Sequence, residues 1–144
     1  MRATGRLQAG DPGTVVLRVP PRPENLALAR LALAGVGSIA GASEAAIADL
    51  KLAVTEACTN SILHGYPNGA SGELVVRIRT ADGTVEVEVE DDGVGFDPAG
   101  RDADLRRDEG QGMGLMIIRS LMDSLEVESD ESGSRISFAR RGRG

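Results

Sequence analysis

Residues 73–92 read ELVVRIRTADGTVEVEVEDD: two alternating runs of apolar and charged side chains, broken only by Asp82-Gly83. Period-two alternation over this length is a strand signal, and a two-residue Asp-Gly loop suggests a type I′ hairpin. That turn pairs Arg79 with Glu86, Arg77 with Glu88, Ile78 with Val87 and Val76 with Val89. Opposite charges then meet on one face and apolar side chains on the other, so two independent features agree on one register. Val85, Val87 and Val89 point inward, and the same period carries the inner face to Asp91, with Asp92 on the charged side. A carboxylate at the inner end of a valine face needs a hydrogen-bond partner, so Asp91 is a candidate ligand contact.

Before the hairpin, residues 1–13 form a Gly/Pro-punctuated, flexible N-terminal segment, and TVVLRV (14–19) reads as a short strand stopped by PPRP. An Ala/Leu-rich run over 24–40 places Leu26, Leu33 and Val36 at helical spacing, with Gly35 and Gly37 weakening its end. Ser43 is the expected N-cap of a helix running to about Leu63. Its apolar stripe is Ile47, Leu50, Val54, Cys58 and Ile62. Glu56 lies about 200° around the helix from Val54, and Asn60 about 40° beyond Glu56, so the pair shares a face turned from the stripe. After the hairpin, residues 93–114 are charged, glycine-flanked and irregular; a helix is expected over 113–125, then a last hairpin with Val127, Ile136 and Phe138 inward.

The chain of 144 residues suits one domain with its own core. A net charge of −6 argues against a phosphate-backbone binder, so no direct nucleic-acid partner is expected. Cys58 stands alone, which excludes an internal disulfide. No apolar run reaches the ~18 residues of a membrane span and residues 1–13 lack a signal-peptide core, so the expected location is cytoplasmic, without a membrane partner. Lys51 is mid-helix and no GxxxxGK[ST] exists, which rules out a Walker-type phosphate loop. His64 reads as a structural histidine at a helix end, and Met113, Met116 and Met122 as core filler.

Four short features follow one another: Glu56-xxx-Asn60 within EACTNSILHGY, Asp91-x-Gly93-x-Gly95, Gly110-x-Gly112-x-Gly114, and Gly133-Ser134 entering the last strand. Taken together, and in this order, the chain resembles the nucleotide-binding domain of the GHKL (Bergerat-fold, histidine-kinase-like) ATPase superfamily. EACTNSILHGY is similar to its N box, DDGVGF to its first glycine box and GQGMGL to its second. Within it, the chain is most similar to the small anti-sigma-factor serine/threonine kinases, over about residues 14–139.

The resemblance implies an α/β (α+β) two-layer sandwich: a mixed, mostly antiparallel sheet covered on one face by about three helices. It places the ATP-binding kinase domain at 14–139 and leaves a basic tail at 140–144. It also implies a role for each motif residue. Asp91 accepts from the adenine amino group, and Ser134 supports the same edge. Asn60 binds Mg²⁺, a hard cation that takes oxygen ligands. Glu56 acts as general base on an acceptor hydroxyl. Gly93, Gly95, Met113 and Leu115 belong to the cofactor site, and Gly110, Gly112 and Gly114 let backbone amides approach the phosphates of ATP at a helix N-terminus. The segment between the glycine boxes is the lid; Arg106 and Arg107, beside Asp108 and Glu109, either serve the γ-phosphate or stand solvated. Arg30 aligns with an arginine that the family uses toward its partners, although a plain surface arginine fits equally.

The implied function is an anti-sigma factor that sequesters a sigma factor and phosphorylates an anti-anti-sigma (STAS-type) protein, as a homodimer. Two alternatives stay open: a nucleotide-binding, sigma-sequestering module with little kinase activity, and a detached catalytic domain of a histidine kinase.

Overall fold

The computed structural model describes residues 7, 13–65, 72–93 and 111–143. They form five strands, three helices and a 3-10 turn (Pro23–Asn25). The strands are β1 (Thr14–Val19), β2 (Leu74–Ala81), β3 (Thr84–Asp91), β4 (Ser124–Asp130) and β5 (Gly133–Arg141). The helices are α1 (Leu26–Ile39), α2 (Glu44–Gly65) and α3 (Gln111–Leu121). The strands make one sheet in the order β1-β2-β3-β5-β4, with every pairing antiparallel. The two-layer α+β expectation therefore holds, and the sheet is antiparallel throughout rather than mixed.

The β2–β3 hairpin has the expected register, with Arg79 opposite Glu86, Arg77 opposite Glu88 and Val76 opposite Val89. Asp82 and Gly83 both take positive φ, 54° and 78°, as a type I′ turn requires. Val85, Val87 and Val89 are buried on the helix side with Val76, Ile78, Ile136 and Phe138. Leu33, Leu50, Val54, Cys58 and Ile118 meet them from the helices. On the opposite face, Arg77 Nη1 contacts Glu88 Oε1 at 3.1 Å and Glu90 Oε1 at 2.7 Å. Arg135 Nη1 lies 3.6 Å from Glu88 Oε2, and between its two arginines Glu88 is only 2% exposed. The charged face thus shields its own middle by ion pairing.

Helix α2 starts as expected: Ala46 N donates to Ser43 Oγ at 3.1 Å, capping the first turn. Its buried arc is wider than the expected stripe. Leu50, Val54 and Cys58 are fully buried and Ile47 and Ile62 only partly so, while Ala46, Ala53, Ala57, Asn60, Ser61 and His64 are buried too. The reason is that α2 packs against the sheet, α1 and α3 at once. The flank that carries Ala46, Ala53 and Ala57 is therefore buried, and the Asn60 side is covered rather than solvated.

Other features differ from the sequence expectation. Helix α3 ends at Leu121, and Ser124 and Leu125 open β4, where Leu125 pairs with Phe138. Met122 is buried, but Met113 and Met116 are 65% and 69% exposed and are not core filler. Strand β5 runs to Arg141, past the expected domain end at 139. It is held there by Arg140 Nε on Asp49 Oδ2 at 3.0 Å, by Gly142 N on Gly83 O, and by Ser43 N on Gly142 O.

Candidate functional site

Asp91 is the last residue of β3, carried to the helix side by the alternation that buries the valines, and is 5% exposed. Three groups hold it. Ser134 Oγ donates to Asp91 Oδ2 at 2.5 Å from the paired position on β5. Gly93 N donates to Oδ1 at 2.9 Å. Gly65, at the end of α2, presses on the carboxylate from the third side: a Cβ there would sit 3.3 Å from Oδ1. Asp92, on the other face, accepts instead from Glu73 N at 3.0 Å.

Glycine is required at two points of this junction. A Cβ on Gly93 would fall inside the carbonyl oxygen of Gly65, and one on Gly133 inside that of Asp91. Gly133 also has φ +143°, a region open essentially to glycine alone. Gly65 and Gly133 were not picked out by sequence reasoning as neighbours of Asp91. The contact is long-range, and a glycine ending a helix or opening a strand is usually read as local punctuation.

Helix α2 links this pocket to the other candidates. Asn60 lies five residues before Gly65 and Glu56 nine before it, about 7 Å and about 13 Å back along the axis. Asn60 is 6% exposed, and among the described residues neither its Oδ1 nor its Nδ2 has a hydrogen-bond partner. Ser61, fully buried beside it, has an unpartnered Oγ as well. Leaving a buried donor or acceptor unmade costs about 1–3 kcal/mol, so such a pair of residues on one turn marks a place kept polar for a ligand. Glu56, half-buried, faces α3: a Cβ on Gly114 would lie 3.2 Å from Glu56 Oε1. Glycine at 114 therefore lets the first turn of α3 meet the carboxylate.

The donor set fits a magnesium nucleotide. The Asn60 amide oxygen is the free hard oxygen a Mg²⁺ ion would take, with phosphates supplying other ligands. Among the described residues no cluster of three or more His, Cys, Asp or Glu side chains could hold a metal by itself. Leu115 is half-buried against the core, and Met113 is exposed. Gly112 lies in the first turn of α3, whereas Gly95, Gly110, Arg106, Arg107, Asp108 and Glu109 lie outside the described residues. His64 is buried at the end of α2, in keeping with a structural residue. Arg30 reaches across from α1, its Nη1 on Thr55 Oγ1 at 3.3 Å, and lines a groove with Ala27, Leu31, Ala34 and Lys51.

A helix-backed antiparallel sheet with this acid–asparagine–glycine arrangement defines an ATPase domain of the histidine-kinase type. The model of the family described as "Histidine kinase-like ATPase domain" matches residues 19–140. Serine-protein kinase RsbW of Listeria innocua is 38% identical over 131 residues, covering 83% of this chain and 82% of its own. Serine-protein kinase RsbW of Bacillus subtilis is 35% identical over 136 residues, covering 88% and 84%. The chain belongs to the histidine kinase-like ATPase family, on the branch that holds the RsbW serine-protein kinases. A Mycobacterium tuberculosis structure of RsbU and RsbW domains shares the fold, with a TM-score of 0.69 over 89% of this chain and 32% of that one at 22% identity. So does a histidine kinase domain from Erythrobacter litoralis, with a TM-score of 0.55 over 92% and 69% at 23% identity.

Proposed function

We propose that the chain is an anti-sigma factor and ATP-dependent serine/threonine protein kinase, which sequesters a sigma factor and phosphorylates a STAS-type anti-anti-sigma protein. The observation that carries the reading is Asn60: a buried amide with both polar atoms unpartnered, one helical turn from Glu56 and on the same flank of α2. A structural asparagine would have found a partner in the fold; one that binds a ligand need not.

Each residue then has a task set by its surroundings. Asp91, held in place by Ser134 and Gly93, accepts the amino group of adenine. Asn60 offers its oxygen to Mg²⁺, whose charge offsets that of the phosphates when bound. Glu56 takes the proton from an incoming serine or threonine hydroxyl. The first turn of α3 receives the phosphates, where amide N–H groups and the helix dipole favour anions. Arg30 and the groove beside it supply a docking edge for protein partners. The protein acts as a cytoplasmic homodimer; among the described residues no helix is long and apolar enough to cross a membrane.

The test is transfer of label from Mg²⁺ and γ-labelled ATP to the cognate antagonist. Label appearing on a serine or threonine, and lost with Glu56→Gln, supports the reading. No transfer by the unaltered protein, or equal transfer by the variant, overturns it.

A further inference from the structure

Resting on the nucleotide reading above, we infer that Met113 is a modification site, whose oxidation to the sulfoxide by a peroxide weakens ATP binding. Its side chain is open to solvent: Met113 and Met116 are 65% and 69% exposed. Met122, just past the end of α3, is buried against the core. The single thiol of the chain is closed to the same reagents. Cys58 is fully buried, and burial pushes its thiol up to about 12, which leaves almost no reactive thiolate at neutral pH. Among the described residues, the sulfurs an oxidant can reach are therefore those of Met113 and Met116.

Position separates the two. Met113 stands in the first turn of α3, beside Gly114, whose backbone meets the Glu56 carboxylate. A helical side chain leans toward the helix N-terminus, so the Met113 thioether lies over the turn whose amide N–H groups lack partners within the helix. Met116 lies about 160° around α3 from Gly114 and so faces away from Glu56. On an exposed surface neither methionine gains much from burial, and what it has that leucine lacks is an oxidisable sulfur.

In the reaction a sulfur lone pair attacks one oxygen of the peroxide. The S–O bond forms as the O–O bond breaks, and the departing hydroxide takes up the remaining proton and leaves as water. The sulfur loses two electrons and the peroxide gains them. The product is polar where the thioether was apolar, and its oxygen is an acceptor with partial negative charge. Beside the free amides of α3, that oxygen competes with the phosphates for the same donors and repels them, against the dipole that favours anions there. Oxidation thus lowers nucleotide affinity while Asp91, Asn60 and Glu56 stay chemically intact, and methionine sulfoxide reductases reverse it.

The experiment treats the full chain with hydrogen peroxide, locates added oxygen by peptide mass spectrometry and measures Mg²⁺-ATP binding by calorimetry. The proteins are the unaltered chain, Met113→Leu and Met116→Leu. In the unaltered chain, Met113 and Met116 should each gain one oxygen while Met122 and Cys58 gain none, and ATP should bind about three- to tenfold more weakly after treatment. Methionine sulfoxide reductases should then restore the affinity. Met116→Leu should show the same loss. Met113→Leu, whatever its own starting affinity, should bind ATP equally before and after treatment, although its Met116 is oxidised. Undiminished affinity with Met113 oxidised overturns the inference, as does an equal loss in Met113→Leu, or oxidation of Met122 or Cys58 ahead of Met113. An unaltered protein that binds no ATP before treatment is a failure of the nucleotide reading instead, and takes the inference with it.

Discussion

Replacing Asn60 by leucine separates what the site does for function from what it does to the fold. The side chain is 6% exposed with two unpartnered polar atoms, so the free protein carries their desolvation without return. Leucine has nearly the same branched shape and no polar atom. Removing the uncompensated amide should stabilise the free protein by about 1–3 kcal/mol. At about 2–4 °C per kcal/mol for a domain of this size, the melting temperature should rise by about 2–12 °C. With Mg²⁺ and ATP the order should reverse. A ligand at a thousand times its Kd adds about 4.1 kcal/mol to a protein that binds it and nothing to one that does not. The assay is urea unfolding of both proteins with and without Mg²⁺-ATP. A leucine variant less stable than the unaltered protein without nucleotide would refute the reasoning, because Asn60 would then be serving the fold.

Other expectations follow from the same geometry. Glu56→Gln keeps the packing against Gly114 and removes the base, so phosphoryl transfer should fall about 10²–10⁴-fold with ATP affinity within a few-fold; single-turnover transfer and calorimetry check this. Gly133→Ala forces a Cβ into Asp91 O at a φ that suits glycine alone, which should cost about 1–3 kcal/mol in urea unfolding and weaken ATP binding as Asp91 shifts. Burial pushes the Cys58 thiol from 9.0 up to about 12, against the opposing pull of Arg30. The unfolded chain therefore loses this proton first, and between pH 9 and pH 12 the thiol removes about 1.4 kcal/mol of stability per pH unit, a slope that Cys58→Ala should lack.

Much of the fold was legible because local and long-range signals agreed. The Arg/Glu and Val/Ile pairs across Asp82-Gly83 set the β2–β3 register, and the same alternation placed Asp91 inward. The Glu56–Asn60 pairing was legible from helix spacing. Its environment was not, because Ala46, Ala53 and Ala57 read as weakly apolar while the structure buries all three completely. The segment Leu121-Met122-Asp123-Ser124-Leu125 fits a helix end or a strand start by periodicity alone, and pairing of Ser124 and Leu125 with Ala139 and Phe138 decides it. Gly65 reads in the sequence only as a helix end; its contact with Asp91, distant in the chain and adjacent in space, is visible only in the fold.

The most direct test of the account is a crystal structure of the protein with Mg²⁺ and a non-hydrolysable ATP analogue. The account requires the adenine amino group on the Asp91 carboxylate and the Asn60 side-chain oxygen on the metal. A base seated away from Asp91, or a metal held without Asn60, would contradict it.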